Sequence, residues 1–186
     1  MVRRILSQLH RYVLWLLVST VFWAWIFTFL TDAPQQQKIV LYADTPAIDG
    51  EAMAEALSDP LPDGIRLVQV HPFSYALFDS TEPMAADLYI LSDTEIAAYL
   101  DRLLPWPETD GTDGDYTVDG CVYGRRIYDK QTHSGTAGGF VTYTAQGQPE
   151  ENYYLCFNRN SVHLKDADAL SSAAPYGIAC RILQMP

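Results

Sequence analysis

KIVLYADTPAIDGEAMAEALSD, residues 38–59, is the stretch on which the fold class turns. Its first half is a compact β-branched run ending in an acid, the pattern of a strand buried on both faces. Its second half places Ala52, Met53, Ala56 and Leu57 at helical spacing, with Asp49 as N-cap and Pro60 as a stop. A strand followed at once by a helix is one βα unit.

The unit repeats downstream. DGIRLVQVHPF (63–73) predicts a strand over Ile65–Val70 closed by Pro72, and MAADLYILSD (84–93) a strand over Asp87–Leu91. Between them, SYALFDSTEP has room for a helical turn or two. SDTEIAAYLDRLLP (92–105) then reads as a capped helix: Ser92 or Asp93 at the N-cap, Ile96, Tyr99, Leu100, Leu103 and Leu104 on one face, Pro105 at the end. Alternation of this kind predicts an α/β domain of three layers with a mostly parallel sheet.

Residues 106–148 are richer in glycine and acids. YTVDGCVYGRRIYD (116–129) predicts a hairpin turning at Asp119-Gly120 or near Gly124, and Phe140–Thr144 a further short strand. DGTDGD (110–115) fails as a calcium loop, because neither register places a Glu at the twelfth position. SGTAGG lacks the lysine and setting of a phosphate loop. ENYYLCFNRNSVHL (151–164) reads as a buried strand over Asn152–Phe157, closed by the polar turn chemistry of Asn158, Asn160 and Ser161. A final helix is expected over about Asp168–Leu183.

Upstream, Tyr12 to Leu30 carries no charge and no proline, and at about 1.5 Å per residue such a helix is roughly 28 Å long. Arg3, Arg4 and Arg11 precede it, while all 23 Asp and Glu follow it. This predicts a retained transmembrane helix over 12–31, with the N-terminus 1–11 in the cytoplasm. Residues 32–37 are then expected to supply the linker, and 38–186 the extracytoplasmic domain of a single-pass cell-membrane protein. A cleaved signal peptide is the competing reading of the same pattern. The lipid bilayer is then one partner.

The net charge of −11 makes nucleic acid a poor partner. Three widely spaced cysteines without a C-x-x-C, and four scattered histidines, predict neither a metal site nor a cofactor.

The order of these pieces resembles the N-terminal lobe of bacterial extracellular solute-binding proteins of the type II periplasmic-binding fold. KIVLYAD with its helix, the strand ending near HPF, ADLYILSDTEIAAYLDRLLP, VDGCVYGRRIYD and YYLCFNRNSVHL carry the resemblance over most of residues 38–164. The last of these resembles the strand on which such chains cross between lobes. The resemblance implies a non-enzymatic domain that binds a small solute or docks on a transporter or other envelope protein. About 155 residues follow the apolar run, so the resemblance leads one to expect a single lobe without the second, and Arg125-Arg126-Ile127 departs from the family's pattern.

In open α/β sheets ligands sit at the carboxyl ends of the strands. The candidate ligand residues are therefore Asp44, Thr45, His71, Phe73, Ser92 and Asp93, with Tyr123 and Asn158 nearby. Asp44, Ser92 and Asp93 are equally well read as caps and turn formers. Two other classes remain: a structural or assembly protein whose apolar helix is the working part, and a hydrolase built on His133-Ser134, for which no G-x-S-x-G is present.

Overall fold

The computed structural model describes residues 2–31, 33–73, 85–107, 113–164 and 170–186, with the side chains of 2–10 and 28–31 excepted. The helical turns expected over 74–83 and part of the acidic loop at 110–115 fall outside these residues. The chain divides into two units, Met1–Pro34 and Gln35–Pro186.

The first unit is the helix α1, Val2–Thr31. Its described side chains run from Arg11 to Phe27 and include exposed Trp15, Phe22, Trp23 and Trp25. Among the described residues, no helix is long and apolar enough to cross a membrane. That finding corrects the transmembrane helix expected over 12–31. The single-pass membrane location falls with it.

The second unit begins with β1, Lys38–Ala43, followed by the two-residue β2, Ala47–Ile48, and by α2, Gly50–Leu57. The Asp49 side chain caps α2 by accepting the Ala52 amide at 3.1 Å, as the sequence predicts. Next come β3, Leu67–Pro72, β4, Leu88–Ser92, α3, Asp93–Tyr99, and β5, Leu103–Leu104. A hairpin follows, from β6, Tyr116–Val118, to β7, Cys121–Asp129. Its turn is Asp119-Gly120, where φ is 51° and 80°; two positive φ values are what a tight primed turn needs, and glycine takes them without penalty. The chain closes through β8, Ser134–Gly135, β9, Val141–Thr142, β10, Tyr153–Asn158, and α4, Ala174–Gln184.

The main sheet runs in the order β3-β1-β4-β10-β7-β6. Only β3, β1 and β4 are parallel; β10 runs antiparallel to β4, and β7 antiparallel to β10 and to β6. The sheet is therefore mixed, which corrects the mostly parallel sheet expected from the βα repeats. The reason is that Tyr153–Asn158 is buried at every position, so its sequence carries the same continuous apolar run whichever way it lies. Direction is set by its partners.

Alternate residues of the central strands feed two cores. Ile39, Leu41, Leu88, Ile90, Leu155 and Phe157 face α2 and α4 through Met53, Leu57, Ile178 and Ile182. Val40, Tyr42, Tyr89, Leu91, Tyr154 and Cys156 face the other way, where Ile96 of α3 covers them. Gly124 of β7 sits under that second core: a Cβ there would lie 2.6 Å from Ile96 Cδ1 and 2.8 Å from Tyr154 Cβ. Only glycine fits without displacing them.

Arg181 joins α4 to the end of α2. Its guanidinium donates to the carbonyls of Ala56, Leu57, Asp59 and Pro60 at 2.6–2.9 Å, satisfying acceptors that the helix end leaves open. Arg181→Met keeps much of the apolar stem and removes every donor. It is expected to lower the unfolding free energy by about 2 kcal/mol, read from the urea midpoint; a loss under about 0.5 kcal/mol contradicts the role.

Candidate functional site

The carboxyl ends of β1 and β4 open onto a cavity of about 520 Å³. Its lining includes Asp44, Thr45, Ser92, Glu95, Glu151 and Tyr153, with Pro46, Thr94, Gln148 and Pro149 completing it. Each arrives for a local reason. β1 stops at Ala43, and the Asp44 amide is held by the Ile90 carbonyl at 2.8 Å, which carries the next turn past the end of β4. Ser92 ends β4 in extended conformation and is the N-cap position of α3, so Thr94 and Glu95 emerge on the first turn of that helix. Tyr153, the first residue of β10, pairs with Ser92 because β10 is antiparallel. The preceding Glu151 accepts a hydrogen bond from the Thr94 hydroxyl at 2.9 Å.

Asp93 sits behind this lining and fixes it. Its carboxylate accepts from Lys130 Nζ at 2.8 Å, the Asn152 amide at 3.1 Å and the Tyr154 hydroxyl at 2.9 Å. Burial pushes the Asp93 carboxyl up, but those three donors together outweigh it and hold the group below the usual carboxylate range. Three segments thus meet at one charge: the start of α3, the turn after β7 and the entry to β10. Inside the cavity, burial and then the carboxylates of Asp44 and Glu151 push the Tyr153 phenol up to about 12, so it presents a neutral hydroxyl at any physiological pH.

The remaining candidates separate. His71 packs its ring on Tyr42 with centroids 5.4 Å apart, and Phe73 makes edge contacts with Tyr42, Tyr89 and Tyr99. Both lie at the carboxyl edge, in an aromatic cluster on the α3 side of the sheet. Tyr123 packs against the second core from β7. Asn158 lies at the far end of β10, where its amide donates to the Ala86 carbonyl at 2.6 Å. The sheet brings Asp44, Thr45 and Ser92 together at the cavity, places Asp93 behind it, and leaves the other four elsewhere.

Sequence reasoning missed Thr94, Glu95, Gln148, Glu151 and Tyr153. Glu95 and Thr94 were legible as neighbours of a helix start. Gln148, Glu151 and Tyr153 were not, because only the antiparallel entry of β10 brings them to the ends of β1 and β4.

A second polar cluster occupies the opposite edge. Buried Asp87 receives the Ser161 hydroxyl, the Val40 amide at 2.9 Å and His163 Nδ1 at 2.8 Å. The Ser161 Oγ accepts from the His163 backbone amide at 3.1 Å, not from the ring. The imidazole therefore cannot take the serine proton, and the trio is no nucleophile–base pair. Nor is His133-Ser134: His133 faces Glu150 at 3.5 Å and Ser134 faces Thr132 at 2.7 Å. All three cysteines are free, and no group of three metal-ligating side chains is found among the described residues.

No protein-family model, no curated protein and no solved structure matches this chain.

Proposed function

We propose that residues 35–186 form a non-enzymatic binding module for a small, polar, positively charged solute, held at the carboxyl edge of the sheet. The observation that carries this reading is the cavity of about 520 Å³ at the ends of β1 and β4, with Asp44, Glu95 and Glu151 around it. The volume lies in the range of small-molecule sites. It also lies where the connections leaving adjacent strands diverge, the place open α/β sheets put ligands. The carboxylates favour an ammonium or guanidinium group, while the hydroxyls of Thr45, Ser92 and Tyr153 suit its polar remainder. The sequence resemblance to one lobe of a solute-binding protein points the same way.

Calorimetric titration of the full chain with putrescine, arginine, glutamate and glucose tests the proposal. Putrescine or arginine is expected to bind, glutamate and glucose not to. Glu151→Gln and Glu95→Gln are each expected to weaken binding about tenfold, the size of one lost charge contact. Equal binding of the anion, or affinity unchanged in both variants, overturns the reading.

A further inference from the structure

The amino edge of the sheet carries an arrangement that structural packing alone does not require. His163 lies beyond β10, and both its ring nitrogens have partners: Nδ1 is 2.8 Å from the Asp87 carboxylate and Nε2 is 3.1 Å from the Gln36 carbonyl. Both partners are acceptors only. A neutral imidazole has one N–H and one lone pair, so either tautomer aims a lone pair at an oxygen. Only the imidazolium makes both bonds.

We propose that His163 is a pH-sensitive latch: as imidazolium it clamps the turn Gln35–Gln37 to Asp87, and on losing its proton it lets the Gln36 carbonyl go. The groups that face the ring bear this out. Asp87, just ahead of β4, is buried and is the one described acid within ion-pairing distance; Ser161, in the loop after β10, contributes a neutral hydroxyl; Gln36, ahead of β1, contributes a carbonyl. The Asp87 carboxylate has two neutral donors besides the ring, so the ring is also what neutralises a buried charge. The hydrogen bond to Asp87 raises the His163 pKa above its ordinary value, and the Gln36 carbonyl adds to this against the opposing effect of burial.

Release is local. The Gln37 carbonyl keeps its bond from the Arg66 amide at 2.7 Å, so β1 stays in register while the Gln36 carbonyl is freed. Because the folded pKa is raised, the stability the latch adds is fully present below about pH 6.5 and is lost as pH rises through the folded value.

Nuclear magnetic resonance of the labelled full chain decides it, with a mild detergent to keep the exposed aromatic residues of α1 from self-association. Between pH 5 and 9 the His163 ring nitrogens and the Gln36 carbonyl carbon are followed together. The expected result is a doubly protonated ring at pH 6.5, a midpoint above the ordinary histidine value, and a Gln36 shift that titrates with the same midpoint. In His163→Gln the Gln36 shift is expected to lose its pH dependence. A singly protonated ring at pH 6, or a Gln36 carbonyl that does not follow the ring, overturns the proposal. The wild-type titration decides even if the variant does not fold.

Discussion

Asp87→Ala is expected to lower the unfolding free energy by about 3–5 kcal/mol, the cost of removing one partner from a buried, hydrogen-bonded charge pair. The side chain is almost completely buried, and it holds together three parts of the chain that are distant in sequence. Val40 belongs to a central strand, Ser161 and His163 to the loop after β10, and the Asp87 backbone bonds both Val40 and Asn158. Truncation leaves the Val40 amide and the Ser161 hydroxyl buried without an acceptor. It also leaves His163 without its counter-ion. Urea denaturation of the full chain provides the measurement, and a loss below about 1 kcal/mol refutes the assignment. His163→Gln serves as comparison: the ring is only part-buried and an amide can still donate to Asp87, so the smaller loss is expected there.

Phe157→Ala carries the second large effect, again about 3–5 kcal/mol. Phe157 is fully buried in mid-sheet, with its ring 4.5 Å from that of Trp106 and stacked on Tyr176 at 6.2 Å. Those two contacts join β10 to α4 and to the segment after β5. The cavity left by the ring cannot collapse easily, because Trp106 is itself tied to the Leu155 carbonyl through its indole N–H at 3.2 Å. Phe157→Leu refills most of the volume and is expected to recover more than half of the loss. Near-ultraviolet circular dichroism during urea unfolding reports both variants, and equal stability of Ala and Leu at this position contradicts the packing argument.

Phe157 and the two partners of Asp87, Ser161 and His163, all lie in the stretch YYLCFNRNSVHL (153–164), whose polar part reads in sequence as turn chemistry closing a strand. That reading holds for Asn158, whose side-chain oxygen accepts the Asn160 amide at 3.0 Å. It holds too for Ser161, whose Oγ accepts the His163 amide at 3.1 Å, but it misses that Ser161 and His163 also serve a carboxylate more than 70 residues earlier in the chain. No local pattern encodes such a pairing. The carboxyl-edge cavity was half legible for a related reason: Asp44, Thr45 and Ser92 follow from where strands end, whereas Glu151 and Tyr153 depend on which strand lies beside β4.

Local chemistry is what the sequence determined without help. The cap at Asp49, the turn at Asp119-Gly120, the helix after Ser92 and the strands around Val40, Val68 and Ile90 all follow from short-range preferences and from burial periodicity. Tertiary structure alone decided the direction of β10, and with it the mixed sheet, the cavity and the Asp87–His163 contact. A strand buried on both faces has the same apolar signature parallel or antiparallel, so its orientation is settled by the hydrogen-bond ladders of its neighbours and not by its own residues.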